Sequence, residues 1–421
     1  MMRSNCSERE FDIVVYGATG FSGKLTAGYL AHAAGQARIA LAGRSSERLL
    51  AVRETLGSAA RDWPLVVADA SEPSTLQAMA ARTQVVVTTV GPYARHGLPV
   101  VAACAEAGTD YADLTGELLF ARNSIDLYHK QAVDTGARIV LSCGFDSIPS
   151  DLNVYRLYCR VTDDGAGELR DTTLVLRSFF QGGVSGGTVA SELETMRTAS
   201  GDADARRLIN DPYTLSTDRS AEPEHGPQPD FPWRRGRDVA PELAGYWIGG
   251  FVQGPYNARV VRRSNALQHC AYGRRFRYSE TMSLGRSFVA PVASAVAAGA
   301  LSGVWDFGHK YLGRLPQRLV ERMTPKSGTG PSEATLERGH YTMETYTTTT
   351  TGARYVATIA QRGDCYKATS VLLGQSALAL ALDRDRLTEL RGVLTPAAAM
   401  GDALLERLPA AGVSVGISRL S

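Results

Sequence analysis

An excess of charge of either sign is missing from this sequence. Its 45 Lys and Arg stand against 43 Asp and Glu, a net of +2, so nothing draws it to nucleic acid by bulk charge. Cysteine is sparse and scattered. Cys6, Cys104, Cys143, Cys159, Cys270 and Cys365 form no CxxC pair and no zinc-like cluster with histidine. They read as reduced thiols of a cytoplasmic protein, and no metal site is expected. The opening MMRSNCSERE lacks the apolar core of a secretion signal, which argues against export. Long apolar runs are almost absent too. The exception runs from Ser287 to Trp305, SFVAPVASAVAAGALSGVW, and comes near the length of a membrane helix. It is rich in Ala, Gly and Ser, holds Pro291, and has hydrophilic chain on both sides. A buried helix or pocket lining is the first reading. A surface touching lipid or a long acyl chain, with peripheral membrane contact, is the second.

With 421 residues there is room for two domains and a large core. The most informative stretch is FDIVV followed by YGATGFSGK: a short β-branched strand, then glycines at Gly17, Gly20 and Gly23, then a helical sequence. A dinucleotide loop needs that order. The first glycine allows the tight turn, the second lets backbone approach a pyrophosphate, and the third lets helix and strand pack closely. The helix N-terminus then offers free N–H groups to phosphate. Gly17, Ala18, Thr19, Gly20, Phe21 and Gly23 are therefore candidate cofactor-binding residues. A tight turn with no ligand is the alternative.

Further strands are expected at residues 38–42, 65–67 and 84–90, separated by helical sequence, which predicts a parallel Rossmann sheet. The second strand ends in Gly43-Arg44-Ser45, not in the acid that binds ribose hydroxyls. Arg44 with Ser45 suits a 2′-phosphate, which favours NADPH over NADH. Asp69 ends the third strand near where adenine would lie. Gly91-Pro92-Tyr93 ends the fourth. Short strands at 110–114 and 137–142 lead into TGE and CGFDSIPSD. Ligands of open α/β sheets sit at such carboxyl ends, so these loops are where chemistry is expected.

Past Gly165 the character changes. Residues 172–179 and 275–279, with a hairpin around Thr351-Gly352-Ala353, predict an antiparallel or mixed sheet. Residues 182–188, GGVSGGT, read as a turn opening a helix. Residues 200–242 read as a long polar, proline-rich loop, a lid in one reading. Arg262, Arg263, Arg274, Arg275 and Arg277 form a basic run. It suits an acidic carrier domain or a phosphopantetheine arm, with a solvated surface as the other reading. Helices are expected at 367–382 and 395–408. The fold class is thus α/β, a Rossmann-type parallel-sheet domain (1–150) with a second α+β domain on a mixed sheet (151–375). C-terminal helices (376–421) return toward the first.

YGATGFSGK, AGRSSERL, TTVGPYARHGLPVVAACAEAGTDYADLTGE, CGFDSIPSDL and VSGGTVAS together resemble the saccharopine dehydrogenase-like oxidoreductases. RSNALQ, RRFRYSETMSLG, ERGHYTMETYTTTTTGARY and LTPAAAMGDALLERLP are similar to one mycobacterial branch of that family. The resemblance implies an NADPH-using reductase acting on an acyl-carrier-bound intermediate of a polyketide synthase, in phthiocerol and phenolphthiocerol dimycocerosate lipid synthesis. It would reduce a carbon–carbon double bond. Such a reaction needs a hydride donor, polarisation of the conjugated carbonyl and a proton for the α-carbon. Tyr93, His96 and Asp146 are the candidate catalytic groups, with Tyr111 beside them. Packing against the cofactor (Tyr93), helix capping (His96) and a proton from solvent remain alternatives. Asp113 and Glu117 would bond the nicotinamide amide or fix their loop. Two other functions stay open: an imine or ketone oxidoreductase of the saccharopine type, and a non-catalytic nucleotide-binding scaffold associated with lipid.

Overall fold

The computed structural model describes residues 9–180, 185–216, 228–287, 290–311 and 329–421. Residues 182–184 of the glycine turn, 217–227 of the polar loop and 288–289 of the apolar run lie outside them. In chain order the strands are β1 (Phe11–Tyr16), β2 (Ile39–Gly43), β3 (Leu65–Val67), β4 (Thr83–Thr88), β5 (Asp110–Ala112), β6 (Arg138–Val140), β7 (Leu169–Phe180), β8 (Arg234–Arg235), β9 (Trp247–Gly250), β10 (Arg277–Ser283), β11 (His340–Thr349), β12 (Arg354–Arg362), β13 (Gly392–Leu394) and β14 (Val413–Arg419). Two seven-stranded sheets result. The first runs β13-β6-β5-β4-β1-β2-β3, the second β14-β12-β11-β7-β10-β9-β8.

All pairs of the first sheet are parallel, so it has the doubly wound Rossmann order with β13 added at one edge. Alternation explains how both faces are covered. Ile13, Val15, Val85 and Val87 face the core that holds the helix Cys365–Leu382. Val14, Tyr16 and Val86 face the helix Tyr93–Ala107. Gly374 lets Cys365–Leu382 come close to the helix Phe21–Ala33, since a Cβ there would lie 2.5 Å from Tyr29 Cδ1. The chain reverses strand order between β1 and β4, which opens the crevice where ligands of such sheets bind.

The second sheet is mixed: β10 lies parallel to β7, and the other pairs are antiparallel. The hairpin β11–β12 turns at Gly352, whose φ of +90° requires glycine. Tyr341, Met343 and Ile359 of this sheet share one core with Ile13 and Val15 of the first. The C-terminal segment holds more than the expected helices. Between Cys365–Leu382 and Pro396–Arg407 the chain adds β13 to the Rossmann sheet, and it ends as β14 on the edge of the mixed sheet. Three-residue edge strands such as GVL carry too little pattern to be seen in sequence. The stretch expected as a long loop also contains a helix, Ala203–Asn210. Asp202 caps it by accepting from Asp204 N and Ala205 N, and Ala205 and Ile209 are buried.

The apolar run becomes the helix Ala290–Tyr311, with Pro291 in its first turn, where proline is tolerated. No described helix is long and apolar enough to cross a membrane. Val292, Val296 and Phe307 are exposed, while Leu301 lines a pocket.

Candidate active site

The glycine loop closes around its own backbone. Gly17 has φ +88°, and a Cβ on Gly23 would sit 2.1 Å from Gly17 O and 2.9 Å from Thr89 Oγ1. Only hydrogen fits there. Gly17 N donates to Ala42 O and Gly20 N to Gly17 O, both at 2.9 Å, which fixes the turn. Ala18 is buried, and Thr19 and Phe21 are partly so. Gly20 is the N-cap of Phe21–Ala33; no side chain caps it, and no acid lies in its first turn. The N–H groups of that turn are left for an anion. The Phe21 ring packs edge-on to Tyr366, with centroids 5.3 Å apart.

Arg44 stands exposed at the end of β2 and makes no hydrogen bond or ion pair with a described residue. Ser45 is committed: its Oγ accepts from Arg48 N at 3.3 Å and caps the helix Ser46–Thr55. Asp69 accepts from Ser71 N at 3.0 Å and Ser71 Oγ at 2.9 Å. Those bonds, helped by Arg44, hold its carboxyl below the usual range. His96 belongs to this neighbourhood. Burial lowers its pKa, and the charges of Arg44 and Arg95 lower it further, against Asp69. It is a neutral imidazole at pH 7.

Beyond β4 the Gly91–Pro92 peptide is cis, and Gly91 faces the helix Gly186–Gly201, its Cβ position being 3.4 Å from Ser191 Oγ. Tyr93 is buried. Its hydroxyl donates to Thr88 O at 3.1 Å and accepts from Leu114 N at 3.4 Å, so both functions are spent on backbone. Glu117 caps the helix Tyr93–Ala107: Oε1 accepts from Tyr93 N at 2.8 Å and Oε2 from Ala94 N at 2.7 Å. Asp113 stitches the two neighbouring strand ends, accepting from Tyr111 OH at 2.9 Å, Ser142 N at 2.8 Å and Thr115 N at 3.1 Å. Burial raises its pKa to about 7. Tyr111, Asp113 and Glu117 are thus tied into the loop framework.

A pocket with about 700 Å³ of empty space, open to solvent, lies beside these loops. Gly116 and Leu118 form one wall, Glu192, Thr195 and Met196 another, and Val252, Pro255 and Tyr256 a third. The lining is mostly apolar, with a few polar groups, as in small-molecule sites. Glu192 meets solvent in the pocket. The surrounding protein, then Asp146 and Glu117, raise its carboxyl to about 7. Asp146 makes no hydrogen bond with a described residue, and burial lifts it to about 6. It is therefore near enough to act electrostatically on Glu192, while Tyr93 and His96 serve other surroundings.

Sequence reasoning missed Tyr256 and Ser142. Ser142, two residues past β6, has a φ of +65°, uncommon for a residue other than glycine. Its Oγ lies 2.5 Å from the Tyr256 hydroxyl, across from the helix Gly254–Leu267. An aromatic with a polar tip in the first turn after Gly-Pro was the signal available. Around them a buried network is fully engaged. Ser147 Oγ donates to Asn257 Oδ1 at 2.9 Å, Asn257 Nδ2 to Glu280 Oε2 at 2.9 Å, and Tyr278 OH to Glu280 Oε1 at 2.7 Å. Asp151 accepts from Ala397 N at 2.8 Å and from the Ser264 hydroxyl. This carboxyl of the CGFDSIPSD loop is structural.

The basic run is neither a docking patch nor a solvated surface over its first two residues. Arg262 and Arg263 are buried. Arg262 donates to Pro212 O at 3.1 Å and Tyr278 O at 3.0 Å, and Arg263 to Leu215 O and Val393 O, each at 2.5 Å. They clamp residues 212–215 to both sheets. Arg274, Arg275 and Arg277 are exposed.

The model of the saccharopine dehydrogenase NADP-binding domain matches residues 13–140, β1 through β6. The chain is 73% identical over 415 residues, 99% of both chains, to the trans-acting enoyl reductase of Mycobacterium tuberculosis strain H37Rv. It is 70% identical over 414 residues, 98% of this chain and 99% of the other, to that of Mycobacterium leprae. Among solved structures, apo saccharopine dehydrogenase (L-Glu forming) from Saccharomyces cerevisiae shares the fold at a TM-score of 0.54 and 14% identity, covering 97% of this chain and 99% of that one.

Proposed function

The chain belongs to the trans-acting enoyl reductase family, within the saccharopine dehydrogenase-like oxidoreductases, and we propose that it uses NADPH to reduce an enoyl thioester held on a polyketide synthase carrier. The observation that carries this reading is the placement of an apolar pocket against the loop that ends β5, through Gly116 and Leu118, with Tyr256 of its lining bonded to Ser142 just past β6. In this fold a nicotinamide ring ends there, so an acyl chain in the pocket would meet it. On the same reading the reduced chain enters phthiocerol and phenolphthiocerol dimycocerosate synthesis.

The residues present fit NADPH. Gly23 tolerates no Cβ against Gly17 O, which is the close packing a pyrophosphate loop needs. The uncapped first turn at Gly20 would take the pyrophosphate, together with the Thr19 and Phe21 backbone, while Gly17 and Ala18, whose N–H groups donate to Ala42 O, would shape the loop around it. Arg44, without a described hydrogen-bond partner, would take the 2′-phosphate, with Ser45 beside it. Asp69 and His96 would border the adenosine side. Gly91 and Pro92 would border the nicotinamide, and Tyr93 holds that loop in place through Thr88 O and Leu114 N. Asp146, buried and without a described hydrogen-bond partner, would act on the reacting end through its effect on Glu192. When bound, NADPH supplies the hydride; the protein's part is to orient the thioester, exclude water and provide a proton.

The test is direct. The protein is incubated with NADPH and a 2-enoyl thioester on a phosphopantetheine carrier domain, and NADPH consumption is followed together with the acyl product. The expected product is the saturated thioester. Turnover of a keto acid with ammonia, and none of the enoyl thioester, would instead establish the imine-forming reading.

A further inference from the structure

Three observations converge on one side chain. Ser142 is held at φ +65° at the carboxyl end of β6, and strained backbone of this kind gathers at functional sites. Its hydroxyl lies 2.5 Å from the Tyr256 hydroxyl. Tyr256 lines the apolar pocket from the other half of the molecule, and its hydroxyl reaches Ser142 just past the end of β6. Asp113 accounts for the backbone part of the geometry by accepting from Ser142 N at 2.8 Å, and the two hydroxyls satisfy each other.

We propose that Tyr256 is a catalytic residue of the reduction, its hydroxyl, oriented by Ser142, hydrogen-bonding the thioester carbonyl oxygen of the substrate, with Glu192 in the same pocket giving the proton to the α-carbon. The inference rests on the enoyl-reductase reading above. The step balances. Bound NADPH would supply the hydride for the new C–H bond at the β-carbon and become NADP⁺. The double-bond electrons move toward the carbonyl oxygen, giving an enolate that accepts from Tyr256 O–H. The enolate then takes the Glu192 proton at its α-carbon, and Glu192, open to solvent, is reprotonated from water.

The electrostatics agree with this division of labour. Burial, with Asp113, Glu117 and Asp146 nearby, raises the Tyr256 pKa against the opposing effect of Ser142. It therefore stays a hydrogen-bond donor throughout the neutral range and does not become a tyrosinate. Glu192 lines the pocket beside Tyr256, and the surrounding protein atoms, then Asp146 and Glu117, favour its protonated form. Asp146, Glu117, Tyr256 and Arg259 are the titratable or charged groups around it.

Wild type, Tyr256→Phe, Ser142→Gly and Glu192→Gln are compared with NADPH and a 2-dodecenoyl N-acetylcysteamine thioester, with NADPH affinity measured separately. Loss of one donor to a developing oxyanion lowers kcat by about 100- to 1000-fold. Tyr256→Phe is expected in that range with unchanged NADPH affinity. Ser142→Gly suits the left-handed backbone and removes the hydroxyl with its methylene, and it should lose about tenfold. A bound saturated thioester should show a carbonyl stretch shifted to lower frequency in wild type and not in Tyr256→Phe, which a merely structural tyrosine would not produce. Tyr256→Phe turning over within about threefold of an active wild type overturns the Tyr256 role. Glu192→Gln with full activity overturns the proton assignment. An inactive wild type that still binds NADPH overturns the enoyl-reductase reading and this inference with it.

Discussion

Replacing Arg44 by alanine should separate the two nicotinamide cofactors. Arg44 is exposed at the end of β2 and has no hydrogen bond to a described residue, so its removal breaks nothing in the free protein. With NADPH bound it would face the 2′-phosphate, and a hydrogen bond to a charged group contributes about 1.5–3 kcal/mol. That corresponds to a loss of about 10- to 150-fold in NADPH affinity. Exposure and the nearby Asp69 carboxylate put the expected value toward the lower end. The loss should shrink as salt is raised, because exposed charges are screened. NADH has no 2′-phosphate and should bind both proteins within about twofold. Calorimetric titration of each cofactor into wild type and Arg44→Ala measures this. Equal losses for NADPH and NADH, or no loss for either, would refute the assignment of Arg44 to the phosphate.

Gly23→Ala places a Cβ 2.1 Å from Gly17 O, a backbone atom that cannot swing aside. The overpacking should cost about 1–3 kcal/mol and weaken both cofactors alike, visible as a lower thermal midpoint and lost binding in the same titration. Arg263→Ala removes two buried bonds to Leu215 O and Val393 O. A loss of about 3–5 kcal/mol should appear as a clear drop in thermal midpoint. Asp113 titrates near 7 in the fold because burial disfavours its charge, whereas an unfolded carboxyl titrates near about 4. Its contribution to stability is therefore full below about pH 4 and is lost as pH rises toward about 7. Asp113→Asn should flatten the fall of the thermal midpoint across that window, leaving the slopes from Asp151 and Glu280, which are raised the same way.

The Rossmann half was legible because its strands are buried on both faces and read as apolar runs punctuated by glycine, as at Phe11–Tyr16 and Thr83–Thr88. The hairpin β11–β12 was legible through its alternation and Gly352. The edge strands β13 and β14 were not, since three residues of GVL and a sheet edge far from its partners in sequence carry no periodic signal. Arg262 and Arg263 misled for a different reason: a basic run looks the same whether its guanidiniums meet water or backbone carbonyls. The glycine loop and Arg44 could be read as a site because their chemistry is local. Tyr256 and Ser142 could not, because their meeting depends on a helix of the second half reaching the end of β6.

The measurement that tests the central claim most directly is intact mass analysis of a carrier domain loaded with a 2-enoyl chain, incubated with this protein and NADPH or NADH. The account predicts a mass gain of H₂ on the acyl chain, faster with NADPH, with one equivalent of NADP⁺ formed per chain. A carrier that keeps its double bond while the protein demonstrably holds NADPH would contradict it.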